Sequence, residues 1–272
     1  MTHAIGLPLR WALGLRRRAS PTLDYSRLRW YREPTAAYHL TAGYLVPAAL
    51  GVLCHDVIVE GLANVPSAGP VILAANHRDN LDPYLLIHLV PRTIHIGARP
   101  DAFGTGGLCA VWRRLGAFPV DSWGVRHALA LLAAGEVVGL FPQACISRAL
   151  SPASGAVGLL ARWSGAPVVP VAITGTEDVH AHWPFARPTL TVRFGTPMRF
   201  ERHGLRSLDV ADQILQSVGR LLTELPSASP DRDATEVRGC PAPSRRSAVR
   251  PQVLAPRAPG DRPTGDAGAR WE

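Results

Sequence analysis

Hydrophobic and polar positions follow two rhythms along the chain. Residues 56–61 (DVIVEG), 70–77 (PVILAANH), 92–98 (RTIHIGA), 136–142 (EVVGLFP), 167–175 (PVVPVAITG) and 189–195 (TLTVRFG) are short stretches rich in Val and Ile and bounded by Gly or Pro. That pattern predicts strands. Residues 83–90, 125–135, 155–165 and 207–225 carry apolar residues at helical spacing. The last sets Val210, Ile214, Val218 and Leu221 on one face, with Leu215, Leu222 and Leu225 beside them. A strand covered on both sides needs apolar residues at nearly every position. The alternation of such strands with helices therefore predicts an α/β domain with a mostly parallel sheet flanked by helices.

The pattern stops at both ends. Residues 1–37 are basic and poorly periodic, and residues 226–272 hold eight prolines among Ser, Arg and Asp. A segment with so little apolar surface cannot offset its chain entropy, so 226–272 reads as a disordered tail. The organisation is a basic N-terminal segment (1–37), a single domain (38–225) and the tail. The most hydrophobic window, 41–59, is uncharged only as far as His55 and Asp56 and contains Pro47. A membrane span needs roughly 20 apolar residues. An interfacial helix, or a core helix leading into the first strand, is expected there instead.

Charge changes this picture in one respect. The chain has 272 residues and a formal net charge of +8, and all 29 basic residues are Arg. Either a GC-rich coding sequence or a need for guanidinium accounts for the absence of Lys. Residues 1–35 carry +5, residues 36–225 carry +1 and residues 226–272 carry +2. A basic N-terminus suits an anionic phospholipid surface, or is simply a solvated tail. The nearly neutral domain and the absence of any nucleic-acid fold motif argue against nucleic-acid binding. Cys54, Cys109, Cys145 and Cys240 form no C-x-x-C pair and follow no signal peptide, which points to a cytoplasmic protein with reduced thiols and no metal site.

The candidate chemistry lies in AANHRDNLDPYLL, residues 74–86, where His77 precedes Asp82 by five positions. On a continuous helix that spacing turns about 500°, and the side chains diverge by about 140°. The two meet only if residues 77–81 form a turn. Asp82 is a good N-cap and Pro83 a good first helical residue. Asp82 is thus either a cap alone or the partner of His77.

Three further stretches follow in order: LGAFPVDSWG (115–124), GLFPQACISR (139–148) and APVVPVAITG (166–175). With the His77 block they resemble the four sequence blocks of the glycerolipid acyltransferase family, the 1-acylglycerol-3-phosphate acyltransferases. VIVEGLANVPSAGPVILAANH looks like the family's entry sequence and VRFGTPM (192–198) like its closing strand, so the resemblance covers about residues 55–200. It implies transfer of an acyl group from acyl-CoA, or an acyl carrier protein, to the hydroxyl of a lysophospholipid-like acceptor, without metal or bound organic cofactor. His77 would be the general base, its ordinary pKa lying near neutrality. Asp82 would hold the ring's tautomer and stabilise the imidazolium, as the carboxylate does in a Ser-His-Asp triad, except that here the hydroxyl is the substrate's. Asn76 falls in the same block, on the substrate side. Backbone N–H groups at the start of the following helix would bind an oxyanion or phosphate.

The chain departs from the family at the acceptor. The second block usually ends in an arginine thought to hold the acceptor's phosphate, and Ser122 stands there; Arg126, or Arg113 and Arg114, are the nearby substitutes. The third block usually reads Phe-Pro-Glu-Gly, and here it reads Phe141, Pro142, Gln143, Ala144. Arg148 lies near a position where the family often has arginine. The resemblance assigns Ser122, Arg126, Gln143, Ala144 and Arg148 to acceptor binding. It leaves two readings: an acyltransferase with an altered acceptor at the inner face of a membrane, or a degenerate relative that binds lipid or acts as a scaffold.

Overall fold

A computed structural model of the chain describes residues 36–103, 114–143, 146–147, 149–150, 153–182 and 187–224. The basic segment up to residue 35 and the tail from residue 226, with the disorder expected of it, lie outside these residues. So do Arg113, Ala144, Arg148, Cys109, Cys145 and Cys240.

Seven strands form one sheet: β1 (Asp56–Glu60), β2 (Val71–Ala75), β3 (Ile94–Ala98), β4 (Phe118–Pro119), β5 (Val137–Leu140), β6 (Val168–Thr174) and β7 (Thr189–Phe194). Their order is β1-β7-β6-β2-β5-β3-β4, and every neighbouring pair is parallel except β6 with β7. The six expected strands are all present. β4 is additional, a two-residue strand at the edge.

The central strand β2 explains the near-continuous apolar pattern. Val71, Leu73 and Ala75 point into one hydrophobic core, and Ile72 and Ala74 into another on the opposite face. The first core is completed by α1 (Ala36–Leu53), α2 (Asp82–Leu89) and Val179 of α5 (Thr176–His182). The second is completed by α3 (Ser122–Ala133), α4 (Gly155–Ser164) and α6 (Ser207–Thr223). Each face therefore buries period-two side chains of the sheet against helices. The buried side of α6 is Val210, Ala211, Ile214, Leu215 and Val218, close to the face expected from its spacing.

Helix α1 differs from expectation. Pro47 does not interrupt it, and it begins earlier than the 41–59 window. Pro47 has no N–H and its ring crowds the carbonyl four residues before it. The chain accommodates this by widening one turn: Thr41–Leu45 is a π-helical segment, with the Val46 N–H bonded to the Thr41 carbonyl five residues back. The helix is then 18 residues long with a mean hydropathy of 1.3, and only 17% of it is buried, so length and composition alone would let it cross a bilayer. Leu40, Tyr44, Leu45 and Val52 are exposed, while Tyr38, Val46 and Leu50 are buried, so only one side of the helix joins the core.

Three contacts tie α1 to the domain. The Tyr38 hydroxyl accepts from the Ile94 N–H at 2.9 Å, and burial pushes that phenol up to about 12. His88 of α2 bonds the Ala42 carbonyl in the π turn at 2.8 Å. Arg187 donates to the Gly51 and Cys54 carbonyls at the helix C-terminus, where a cation is favoured. Cys54 is a free thiol bonded to the Leu50 carbonyl at 2.9 Å, and burial raises its pKa against the opposing pull of Arg187.

Candidate active site

The parallel strands β2, β5, β3 and β4 end on one rim of the sheet, the usual place for ligands in open α/β sheets. Chain segments leaving that rim carry the site.

After β2 the chain turns through residues 76–81 before α2 begins. Asn76 is buried, and its amide closes both hydrogen bonds of Ile173 in β6, donating to the carbonyl and accepting from the N–H, each at 2.8 Å. The amide extends the β2–β6 ladder by one rung. This geometry makes Asn76 the hinge post from which His77 departs.

The turn brings His77 and Asp82 together. His77 Nδ1 lies 2.8 Å from Asp82 Oδ2, with the imidazole 17% exposed and the carboxylate fully buried. Asp82 Oδ2 also accepts the N–H groups of Arg78 (2.6 Å) and Asp79 (2.9 Å), and Oδ1 accepts the Thr176 hydroxyl at 2.7 Å. Asp82 is therefore not the cap that its place before Pro83 suggests. It is the first residue of α2, Leu81 holds the cap position, and Leu81 makes no side-chain cap bond. The carboxylate faces back into the turn instead, where two backbone donors and the imidazole are nearer than its own helix.

The start of α2 does not supply the expected anion-binding amides at its first two positions. The Asp82 N–H is bonded to the Asp79 carbonyl at 3.2 Å, and Pro83 has none.

The third block closes over the histidine. Phe141, just beyond β5, stacks on the His77 ring with centroids 4.3 Å apart and planes 25° apart. The Ser147 N–H bonds the His77 carbonyl at 2.9 Å. Gln143 is 6% exposed, and its amide nitrogen donates to the Ala149 carbonyl at 3.0 Å, tying residue 143 to residue 149. A carboxylate in that orientation would have nothing to donate.

The second block lies farther along the rim. Asp121 caps α3 through Oδ1, which accepts from the Trp123 and Gly124 N–H groups at 2.9 and 2.8 Å. Gly124 has no room for a side chain, because a Cβ there would sit 1.5 Å from the Pro119 carbonyl oxygen. Ser122 is exposed at the first helical position, and the Arg126 guanidinium lies 4.5 Å above the Trp123 ring. Strands β5 and β3 separate β4 from β2, about 14 Å at the usual strand spacing. Ser122 and Arg126 thus lie on the helix that follows the edge strand, three strands along the rim from β2.

Sequence reasoning missed Arg78, Thr176 and Glu177. Arg78 pairs with Glu177, both largely buried, and Thr176 bonds Asp82. The available signal was the Thr-Glu that immediately follows the fourth block. Among the described residues no group of three or more His, Cys, Asp or Glu is placed to hold a metal ion.

A buried carboxylate orients an accessible imidazole at the carboxyl ends of a parallel sheet, inside an ordered set of blocks, and residues 56–174 match the acyltransferase family model. The chain is matched by that model over less than half of its 272 residues. It is 27% identical over 128 residues to the 1-acyl-sn-glycerol-3-phosphate acyltransferase of Bacillus subtilis (strain 168), which covers 45% of this chain and 64% of that protein. Its fold is shared with the crystal structure of the 1-acyl-sn-glycerophosphate (LPA) acyltransferase PlsC from Thermotoga maritima. The TM-score is 0.57 and the identity 22%, covering 80% of this chain and 87% of that one.

Proposed function

We propose that the chain transfers a fatty acyl group from a thioester, acyl-CoA or acyl carrier protein, to the hydroxyl of a lysophospholipid-like acceptor. The observation that carries this reading is the 2.8 Å contact between His77 Nδ1 and the buried Asp82 carboxylate. With Nδ1 committed as the donor to Asp82, Nε2 is the remaining basic nitrogen. It takes the acceptor's proton as the alcohol oxygen bonds the thioester carbon. Collapse of the tetrahedral intermediate breaks the carbon–sulfur bond, and the same proton goes to the departing thiolate. The imidazolium that exists between these events is stabilised by Asp82. No cofactor or metal takes part.

The similarity to the Bacillus subtilis acyltransferase supports a glycerolipid acceptor. The departures at Ser122 and Gln143 support one other than the ordinary phosphate monoester. The exposed apolar side chains of α1 support docking on a phospholipid surface. With the basic N-terminal segment they favour the anionic inner face of a membrane, from the cytoplasm.

The test is a lipid-product assay with radiolabelled acyl-CoA and acyl carrier protein against a panel of lysolipid acceptors. A labelled diacyl product that disappears with His77→Ala is expected. A folded His77→Ala protein with wild-type turnover would overturn the assignment.

A further inference from the structure

The strand β6 ends at Thr174, and the chain then reverses into α5 within one residue. Gly175 makes this possible: its φ is +90°, and a Cβ would meet the Thr189 carbonyl oxygen at 2.4 Å. The reversal delivers Thr176, fully buried, against the fully buried Asp82. Its hydroxyl donates to Oδ1 at 2.7 Å. The next residue, Glu177, pairs with Arg78, the residue after His77. The first two residues of α5 therefore grip the His77–Asp82 turn from the β6 side, while Phe141 and Ser147 hold it from the β5 side.

We infer that Thr176 is a positioning residue for the His77–Asp82 pair, setting how much carboxylate charge the imidazole meets; this rests on the acyl-transfer reading. Oδ2 is fixed by two backbone N–H groups whether or not Thr176 is present. The threonine hydroxyl thus has little to add to Asp82's placement. What it supplies is a fourth donor on a desolvated carboxylate, drawing negative charge toward Oδ1 and away from the ring. A donor to the charged form of a group stabilises that form and lowers its pull on a shared proton. Without the hydroxyl, Oδ1 is left bare in an apolar surrounding, and the carboxylate turns its full charge on the imidazolium.

The experiment compares wild type with Thr176→Val, Thr176→Ala and Thr176→Ser in the full chain. Two readouts are taken: the pH profile of kcat/KM, and the downfield proton resonance of the His77 Nδ1–H, assigned by its absence in His77→Ala. In the Val and Ala variants the acid limb of the profile moves to higher pH by about half a unit to one unit. KM for donor and acceptor stays within about twofold, and the resonance moves downfield. Thr176→Ser restores both. A merely structural threonine would lower the melting temperature and move neither. If either the Val or the Ala variant folds and keeps the wild-type acid limb and resonance, the inference is overturned. Should wild type acylate nothing in the panel, the functional reading fails, and the resonance, measured without substrate, still decides the role of Thr176.

Discussion

Asp82→Asn separates the two things a carboxylate does for a neighbouring imidazole. Four hydrogens converge on Asp82: those of His77, Arg78 and Asp79 on Oδ2, and that of Thr176 on Oδ1. An asparagine fits in one orientation. The backbone N–H groups of Arg78 and Asp79 cannot reverse, so they require the amide oxygen at the Oδ2 position. The NH2 group then occupies the Oδ1 position, where the Thr176 hydroxyl rotates to accept from it. His77 Nδ1 still faces an acceptor, and its tautomer survives. In a triad where the amide is free to turn its NH2 toward the ring, the wrong tautomer accounts for a loss of about 10⁴.

Only charge is lost here. A unit pair about 4 Å apart is worth about 4 kcal/mol at an effective dielectric constant near 20. If between half and all of the imidazolium charge has formed at the transition state, the loss is about 2–4 kcal/mol, or roughly 30- to 1,000-fold in kcat/KM. Weakening three charge-assisted bonds to neutral ones costs the fold about 1–3 kcal/mol. Initial rates with radiolabelled acyl-CoA, beside thermal unfolding, measure both. A loss as complete as that of His77→Ala would refute the pinned orientation, and a loss below about fivefold would refute the electrostatic role.

Gln143→Glu replaces the donor to Ala149 by a buried carboxylate and should cost about 1–3 kcal/mol at pH 7. The cost should shrink at pH 5, where a protonated carboxyl regains a donor, so melting temperatures at the two pH values check it. Burial lowers the pKa of His95 from 6.5, partly offset by the Gly116 backbone. The unfolded chain then binds the extra proton, and stability is lost as pH falls below about 6.5, by at most about 1.4 kcal/mol per pH unit; His95→Gln should flatten that limb in denaturant titrations. Replacing Tyr44 and Leu45 of α1 by Ser should weaken binding to anionic liposomes by roughly fivefold per site, about 1 kcal/mol each, and unchanged co-sedimentation would exclude α1 from the contact. Ser122→Arg, at an exposed position, should leave the melting temperature unchanged and raise use of lysophosphatidic acid relative to uncharged head groups in the acceptor panel.

The sheet was legible where burial on both faces forces apolar residues at every position, as in Val71–Ala75 and Val168–Thr174. β4 was not, because two residues carry no period. Nor was α5, whose sequence TEDVHAH has no apolar period and, among the described residues, offers Val179 to a core. Pro47 misled for a physical reason: a proline stops an α-helix of fixed turn, but a single π turn absorbs it. The His77–Asp82 pair was legible as a turn, since a helix of that spacing would hold the side chains apart. The orientation of Asp82 was not, because cap and partner are the same residue in the same place and only the competing donors decide. Those donors include Thr176, 94 residues away, and a contact of that range leaves no local trace.

The departures from the family pattern divide along the rim in a way that bears on the choice between an active enzyme and a degenerate one. On the β2–β6 side the polar residues around the base are paired: Asn76 with Ile173, Asp82 with four donors, and Arg78 with Glu177. A chain that no longer used its base would gain nothing from burying a charged carboxylate beside a histidine. Desolvating such a charge is costly unless several donors meet it, and an apolar pair of the same volume would serve the fold as well or better. On the β4 side the scaffold of the second block is complete, with Asp121 capping α3 and Gly124 packed on Pro119, yet the arginine is absent and Ser122 faces solvent. On the β5 side Gln143 is tied to Ala149. The altered residues lie where an acceptor's head group would be read, and the costly ones lie where its hydroxyl would be activated. That division favours the proposed acyl transfer to a changed acceptor over a silent relative.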